Sequence, residues 1–327
     1  SFRVNGDNDL YYATNAGGSW DTEVVDGTGT TGYYSSIAID SNDKVHISYY
    51  NSGDGTLKYA TNSGGSWQSE TIDDTSENTG QYTSIAIDSN DKVHVSYYSQ
   101  GLERRMYANN TDGTFKRTTL TSQTPNGWYT SIGVDGLGHV HIAYYDYTNN
   151  DLKYMTNDAD YWRVSTVDWV GSVGKYASLA VDSNGDPHFV YLDETNSVLK
   201  YATSTSWRKL TVDHNDDTGW YASMALDARG FAHAAYYDKK NQDLMYASNY
   251  GGPWFGDRVD HTLNKNDGLY PSIAVDARGV VHISYYNQTD GTLMYANNAS
   301  GDWVSKLIDG GVDDVGEFSA IAIDSNG

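Results

Sequence analysis

Two residue types that could carry chemistry recur at a regular spacing along the chain, a histidine and an aspartate. The histidines are His46, His94, His141, His188, His233 and His282. Imidazole can ligate a metal or act as an acid–base group near neutral pH. A metal site, however, needs several ligands within about 2–2.6 Å of one ion, and residues that repeat from unit to unit lie apart. We therefore expect half-buried structural histidines, each hydrogen-bonded to a neighbouring unit, and no metal or cofactor.

The repeated aspartate ends an apolar run and precedes a tight turn such as Ser-Asn-Asp or Ala-Arg-Gly. Its copies are Asp40, Asp88, Asp135, Asp182, Asp227, Asp276 and Asp324. Catalysis and calcium binding are the alternatives, because carboxylates serve both. An aspartate beside a turn commonly hydrogen-bonds to the turn backbone, and we interpret this one in that way.

These residues belong to a long internal repeat. Residues 36–50 read SIAIDSNDKVHISYY and residues 84–98 read SIAIDSNDKVHVSYY, and related copies begin at steps of 48, 47, 47, 45, 49 and 48 residues from Ser36. A period of about 40–50 residues with several strands per unit is typical of propeller blades. Each unit resolves into four short strands, rich in aromatic and β-branched residues and separated by turn formers. The sequence thus predicts an all-β, seven-bladed β-propeller with four antiparallel strands per blade.

The two ends of the chain match different parts of one unit. Leu10 aligns with Leu57, so Ser1 falls on Ser48, and Gly327 falls on Asp43. Only the counterparts of residues 44–47 are missing between them. We therefore predict one blade shared by both termini, which removes open sheet edges, and expect the polypeptide to extend past at least one end. The predicted blades are 34–81, 82–128, 129–175, 176–220, 221–269, 270–317, and 318–327 with 1–33.

A repeated tryptophan opens the fourth strand after a Gly-rich turn. Its copies are Trp20, Trp67, Trp162, Trp207, Trp254 and Trp303, with Phe115 once in its place. The turn from Asn62 to Trp67 resembles the Asp-box, S-x-D-x-G-x-T-W, of sialidase-type BNR-repeat propellers. Asn62 takes the Asp position, Gly64 the Gly and Ser66 the Thr. The resemblance implies a propeller turn with an Asx-type hydrogen bond and implies no activity.

Sialidase chemistry would need three converging arginines, a tyrosine nucleophile with a glutamate partner, and an acid–base aspartate. Arg229 and Arg278 lie in predicted turns between first and second strands, whereas Arg163 and Arg208 open fourth strands. They do not gather on one rim. We therefore predict no catalytic residues.

Charge and composition exclude several kinds of partner. The net charge is −22, with 43 Asp+Glu against 21 Lys+Arg. Nucleic-acid binders and proteins on anionic membranes use clustered basic residues, so neither partner is expected, and the acidic surface favours solubility. Cysteine is absent, which excludes disulfides and a thiol nucleophile. No apolar stretch reaches the 18 or so residues of a membrane span.

Positions that differ between copies are the candidates for ligand binding. The residue before the first-strand tyrosine varies most, and the loop after the second strand lies on the same propeller face. The candidates are Tyr33, Trp128, Trp169, Lys175, Trp220, Asp146, Asp193 and Asp238. Aromatic plates beside short polar side chains suit a sugar ring, although the tryptophans could also only pack between loops.

The sequence favours a non-catalytic extracellular or cell-surface binding or adhesion propeller, with multivalent, lectin-like carbohydrate binding at this face. Nearly identical blades suit repeated weak sites with avidity. Two alternatives stay open: a glycan-active hydrolase or lyase with its site at the channel mouth, and a structural unit of a larger surface assembly. The expected partners are glycans or a surface protein, without nucleic acid and without membrane insertion.

Overall fold

The structure is a computed structural model that describes residues 1–75, 78–120, 127–159, 161–260, 265–311 and 313–327. These residues form 28 β-strands and no α-helix. Within the same ranges, no helix is long and apolar enough to cross a membrane.

The strands are numbered in chain order. They are β1 (Phe2–Val4), β2 (Asp9–Thr14), β3 (Asp21–Asp26), β4 (Tyr33–Ile39), β5 (Val45–Asn51), β6 (Thr56–Thr61), β7 (Gln68–Asp73), β8 (Thr79–Ile87), β9 (Val93–Ser99), β10 (Arg104–Asn109), β11 (Lys116–Thr119), β12 (Trp128–Val134), β13 (Val140–Asp146), β14 (Asp151–Thr156), β15 (Arg163–Asp168), β16 (Val173–Val181), β17 (Pro187–Asp193), β18 (Val198–Thr203), β19 (Lys209–Thr211), β20 (Trp220–Leu226), β21 (Ala232–Asp238), β22 (Asp243–Ser248), β23 (Phe255–Arg258), β24 (Asp267–Val275), β25 (Val281–Asn287), β26 (Thr292–Asn297), β27 (Val304–Asp309) and β28 (Val315–Glu317).

Seven four-stranded antiparallel sheets follow one another around a ring, which confirms the predicted seven-bladed propeller. Six sheets use four consecutive strands, beginning with β4, β8, β12, β16, β20 and β24, and the seventh has the order β28-β1-β2-β3. The first strand of each blade lies nearest the axis, because these strands contact each other from blade to blade. The second strand is buried along its length, as in β5 and β9, whereas the outermost strand β11 is exposed.

The blade shared by both termini is also confirmed. Arg3 pairs with Glu317 and with Leu10, so β1 joins β28 to β2. The terminal amine of Ser1 donates to the carbonyl of Ala320 at 2.8 Å. The ring is therefore closed by backbone hydrogen bonds between the two ends of the chain.

Buried tyrosine–aspartate hydrogen bonds join neighbouring blades. Tyr97 of β9 donates its hydroxyl to Asp73, which ends β7 of the preceding blade, at 2.6 Å. The equivalent pairs are Tyr49–Asp26, Tyr191–Asp168, Tyr236–Asp213 and Tyr285–Asp260, at 2.6–2.8 Å. These tyrosine side chains are fully buried, and because a buried polar group needs a partner, each pair fixes how two sheets meet.

Five of the six repeated histidines are buried and His282 is half-buried, but their partners lie within the same blade and not in a neighbouring unit as expected. Nδ1 of His46 faces the hydroxyl of Tyr59 at 2.5 Å, and Nε2 faces Asp40 at 3.3 Å. The same Asp40 accepts hydrogen bonds from the backbone N–H groups of Asn42 and Lys44 in the turn. Burial lowers the pKa of His46, which favours a neutral structural histidine.

The repeated tryptophan packs on the neighbouring blade. The ring of Trp67 meets that of Tyr12, on the third strand of the preceding blade, at 5.3 Å and close to edge-to-face. Trp20, Trp162, Trp254 and Trp303 make equivalent contacts at 5.1–5.3 Å with tyrosines of their preceding blades. Trp207 follows a shorter turn, has φ of 49° and lies farther from Tyr154, at 6.3 Å.

The turn before this tryptophan differs from the expected Asx-type turn. The side-chain oxygen of Asn62 accepts a hydrogen bond from the backbone N–H of Val45 at 2.8 Å, 17 residues away. Asn110 and Asn157 bind Val93 and Val140 in the same way. The asparagine therefore ties the turn to the start of the second strand and does not close the turn on itself.

Candidate functional site at the channel mouth

A closed ring of aromatic side chains surrounds the propeller axis where the first strand of each blade begins. Its members, which we call the aromatic ring, are Tyr34, Tyr82, Tyr129, Tyr176, Tyr221, Tyr270 and Phe318. Neighbouring centroids lie 4.5–4.9 Å apart around the whole circle. Tilted contacts at this distance are favourable for aromatic pairs, so the seven side chains support one another.

Every member of the aromatic ring has a left-handed backbone conformation, with φ between 49° and 56°. A positive φ is uncommon and costly for a bulky residue. The cause is a bulge at the start of the first strand, where the pairing of β4 with β5 skips from Tyr33 to Ser36. The bulge turns one side chain per blade toward the axis, and stacking between neighbours holds it there.

The residue after three of the ring members reinforces this arrangement. Ser35 donates to the carbonyl of Phe318 at 2.9 Å, and Thr130 donates to the carbonyl of Tyr82 at 2.7 Å. Ser319 does the same for Tyr270 at 3.2 Å. These bonds cross from blade to blade, so each of them joins the segments of two neighbouring ring members.

The aromatic ring and these small residues line a shallow cavity of about 210 Å³ at the channel mouth. Burial raises the pKa of Tyr82 to about 12, and it raises the pKa of Tyr129 as well. The hydroxyls are therefore neutral at physiological pH. The cavity presents apolar ring faces together with neutral hydroxyl groups.

Four of the residues predicted from sequence lie immediately before ring members in the chain, and we call them the rim. They are Tyr33, Trp128, Lys175 and Trp220. The ring of Tyr33 lies 4.2 Å below the guanidinium of Arg3 and 5.7 Å from Phe318. Lys175 binds Glu194 at 2.7 Å.

The two rim tryptophans have different surroundings. Trp128 stacks between Tyr147, at 4.9 Å, and Tyr82, at 6.2 Å. Its indole N–H is buried and has no hydrogen-bond partner among the described residues. Trp220 donates its N–H to Asp217 at 2.9 Å and lies 4.1 Å from the ammonium of Lys239. Both indoles are half-buried, so each keeps an exposed surface at the rim.

Trp169 is not part of this rim. Its side chain is 61% exposed, and its ring lies 4.9 Å from the ammonium of Lys209 on the outermost strand β19. The structure therefore places Trp169 at the periphery of the propeller, apart from the other candidates.

The three candidate aspartates are buried inside their loops. Asp146 accepts hydrogen bonds from the backbone and side-chain N–H groups of Asn149, and Asp193 binds Asn196 in the same way. Asp238 binds Asn241. All three side chains are at most 3% exposed. Their carboxylates stabilise the loops that surround the rim.

Sequence reasoning missed the aromatic ring, although its signal was visible as the tyrosine that precedes each S-I-A-I run. A residue shared by all blades is expected to serve the scaffold, and the inward rotation by the bulge is a tertiary effect. Glu194, Lys239 and Tyr147 were missed because single loop residues carry no repeat signal. Among the described residues, no group of three or more His, Asp or Glu side chains could hold a metal ion.

No protein-family model matches the chain, and no curated protein matches it in sequence. Several solved structures, however, are similar to it in three dimensions. An ulvan lyase of polysaccharide lyase family PL25 has a TM-score of 0.57 at 14% identity, covering 82% of this chain and 81% of the lyase. Aleuria aurantia lectin has a TM-score of 0.55 at 13% identity, covering 85% and 96%. A Hadza microbial sialidase, Hz136, has a TM-score of 0.53 at 11% identity, covering 79% and 63%. At these identities the likeness is one of fold, and it agrees with the seven sheets in assigning the chain to the β-propellers.

Proposed function

We propose that the channel mouth is a carbohydrate-binding site and that the protein is a non-catalytic, lectin-like propeller. The observation that carries this proposal is the aromatic ring, which lines the cavity, together with Trp128 and Trp220, which pack against the ring members Tyr82 and Tyr176. A pyranose offers apolar C–H faces that stack on aromatic rings and hydroxyl groups that hydrogen-bond at their edges. The cavity offers aromatic ring faces for stacking and hydroxyl groups for hydrogen bonding.

The rim supplies polar groups at suitable positions for sugar hydroxyls. The Lys175–Glu194 pair can both donate and accept. Such groups fix the orientation of a ligand that stacking alone would leave free to rotate. Because aromatic rings can stack on the ligand while polar groups orient it, we propose a specific site and not a general apolar surface.

The structural neighbours support carbohydrate as the ligand class. The ulvan lyase is described bound to -[GlcA(1-4)Rha3S]-, and the lectin is described in complex with Fucα1-6GlcNAc. The third neighbour is a sialidase. Because glycans of these kinds are found outside cells, we also propose an extracellular or cell-surface location.

Binding is favoured over catalysis by the state of the rim carboxylates. Glu194 is engaged by Lys175 and Ser172, and these bonds lower its pKa. Asp217 accepts from the indole of Trp220. A glycosidase needs one carboxylic acid with a raised pKa beside a second free carboxylate. Neither rim carboxylate is arranged for that role.

The proposal can be tested by applying the protein at high density to a glycan array. Titration calorimetry with the best ligand then measures the affinity. We expect Trp128→Ala and Trp220→Ala to weaken binding by about tenfold or more, because each removes a stacking surface. Trp169→Ala is the matched control, since it removes an exposed tryptophan from the same face but away from the rim.

Equal affinity in the rim variants and the Trp169 variant would contradict the proposed site. Failure to bind any glycan at high density would contradict the proposed ligand class. Turnover of a bound polysaccharide that Glu194→Gln abolishes would replace lectin function with the hydrolase or lyase alternative.

A further inference from the structure

A lysine and two aspartates meet at the interface between two neighbouring blades. Lys200 lies on β18, and its ammonium contacts Oδ2 of Asp168, which ends β15 of the preceding blade, at 2.6 Å. Oδ2 of Asp193, at the end of β17, lies 3.6 Å from the same nitrogen. Both aspartate side chains are 3% exposed, and the lysine side chain is 13% exposed. One amine therefore faces two carboxylates in a place that is largely shielded from solvent.

The other blades lack at least one member of this set. Lys58 of β6 contacts Asp26 of its preceding blade in the same way, but Asn51 stands where the blade of Lys200 has Asp193. The remaining blades have Met106, Met245, Met294 or Tyr11 in place of the lysine, or have Lys153 after a unit with Thr121 in place of the first aspartate. The combination is therefore specific to one interface and is not a general feature of the repeat.

The carboxyl group of Asp168 is surrounded by hydrogen-bond donors. Its Oδ1 accepts from the backbone N–H groups of Trp169, at 2.9 Å, and Val170, at 3.4 Å. Its Oδ2 accepts from the hydroxyl of Tyr191 at 2.8 Å. Backbone donors directed at an acyl oxygen stabilise the negative charge that develops there when a nucleophile attacks the acyl carbon. The site thus combines an amine, a polarised acyl group and a second carboxylate.

The amine lies close to the carbon that it would attack. Because a carboxyl C–O bond is about 1.2 Å long, Cγ of Asp168 lies less than about 4 Å from Nζ of Lys200. The lysine is held in place by pairing of its strand with Tyr191 on one side and Thr211 on the other. Reacting groups fixed in this way behave as if present at about 10⁵–10⁸ M, which offsets the unfavourable condensation of an amine and an acid in water.

The pair is ionic before any reaction. Burial opposes ionisation of Asp168, but the hydrogen bonds from Lys200 and Tyr191 outweigh this effect and lower the pKa of the carboxyl group. Burial raises the pKa of Tyr191, so its hydroxyl remains a donor. Bond formation must therefore begin with a proton transfer, and Asp193 is the third group in contact with the same nitrogen.

We propose that Lys200 and Asp168 form an intramolecular isopeptide bond and that Asp193 transfers the protons. One proton passes from the ammonium to Oδ2 of Asp168, which leaves a neutral amine beside a carboxylic acid. Nζ attacks Cγ, and the charge on Oδ1 is stabilised by the two backbone N–H groups. Asp193 takes a proton from the attacking nitrogen and returns it to the Oδ2 hydroxyl, which leaves as water while the C=O bond to Oδ1 reforms. The products are one amide and one water, without an oxidant, a reductant or another reactant.

The isopeptide bond joins two blades through residues that lie 32 positions apart in the chain. A covalent link over such a distance restricts the unfolded chain, as a disulfide does, and the sequence contains no cysteine with which to form a disulfide. This inference is independent of carbohydrate binding at the channel mouth.

Mass spectrometry of the purified protein tests the proposal. The intact chain should be lighter than its sequence by one water, about 18 Da. Trypsin should no longer cut after Lys200, and peptide 164–175 should be recovered joined to peptide 176–208. An aspartyl succinimide causes the same loss of mass but leaves these peptides separate, so the joined peptide is the decisive product.

Two variants and one internal control identify the groups that react. Lys200→Met introduces the residue found at positions 245 and 294, and it should restore the full mass. Asp193→Asn introduces the residue found at position 51 and keeps both reacting groups. It should slow formation of the joined peptide by about 100-fold or more, because proton transfer is impaired. Lys58 contacts Asp26 without a second carboxylate at position 51, so trypsin should cut after Lys58 as usual.

Recovery of peptides 164–175 and 176–200 as separate species from the parent protein would overturn the proposal, whatever the intact mass. A joined peptide that forms as fast in Asp193→Asn as in the parent would overturn the role of Asp193. A cross-link between Lys58 and Asp26 in equal yield would overturn that role as well.

Discussion

The rings of Tyr34 and Phe318 stack at 4.9 Å between centroids, although these residues lie near opposite ends of the chain. This contact closes the aromatic ring at the channel mouth. It lies beside the hydrogen bond from Ser35 to the carbonyl of Phe318 and near the bond between Ser1 and Ala320. Closure of the propeller and completion of the candidate site therefore depend on the same few residues.

Removal of the Phe318 side chain should weaken closure of the ring. We expect Phe318→Ala to lower the free energy of unfolding by about 2–4 kcal/mol, because a large packed side chain is lost. Phe318→Tyr is the control, since tyrosine occupies this position in the other six blades, and it should change stability by less than about 1 kcal/mol. Urea denaturation followed by tryptophan fluorescence measures both. A Phe318→Ala protein as stable as Phe318→Tyr would show that the stacking contributes little.

The buried tyrosine–aspartate hydrogen bonds between blades can be tested by removing one bond and by adding one. Tyr97→Phe removes the hydroxyl that binds Asp73, and it should cost about 1–3 kcal/mol by leaving part of a buried carboxylate without its partner. Phe2 stands at the matching position in the shared blade, where Asp309 ends β27. Phe2→Tyr should therefore restore the bond and stabilise the protein by up to about 1 kcal/mol. If both changes alter the melting temperature in the same direction, the bonds do not act as described.

Asp267 is a buried carboxylate that should destabilise the protein at neutral pH. Neither of its oxygens accepts a well-formed hydrogen bond from the described residues, and the nearby Arg258 already binds Asp243 at 2.6 Å. Burial, with Asp260 and Asp243 close by, raises the pKa of Asp267 to about 7. Unfolding releases its proton above pH 4, so stability should fall as the pH rises from about 4 to 7 and stay reduced above that range.

Asp267→Thr introduces the residue found at the equivalent positions 31, 79 and 218. We expect it to be more stable than the parent by about 2–4 kcal/mol at pH 8 and nearly equal to it at pH 4. Chemical denaturation across this range measures the difference. A gain in stability that does not depend on pH would show that Asp267 is uncharged or well solvated throughout.

The repeated histidines should lower the stability of the protein as the pH becomes mildly acidic. This is the opposite of the pH dependence expected from Asp267. Burial lowers the pKa of His94 in the folded protein, whereas the unfolded chain takes up a proton near pH 6.5. Stability is therefore complete above pH 6.5 and falls as the pH drops below it. His94→Gln should lose less stability between pH 7.5 and 5.5 than the parent, by about 1 kcal/mol. Parallel losses in the two proteins would mean that His94 titrates normally.

The sequence alone determined the architecture, because every copy of the repeat contains residues that favour the same four strands and the turns between them. The alignment of Leu10 with Leu57 was sufficient to predict the shared blade. The same regularity placed Trp128, Lys175 and Trp220 directly before the first-strand tyrosine, and in the structure each lies in a first strand beside a member of the aromatic ring.

The tertiary structure decided what those strands bring together. The bulge that turns Tyr34 toward the axis, the choice of Tyr59 as the partner of His46, and the position of Trp169 at the periphery all depend on how sheets twist and meet. A repeat shows which residues recur but not which way their side chains point, because a single extra residue in a bulge reverses the face.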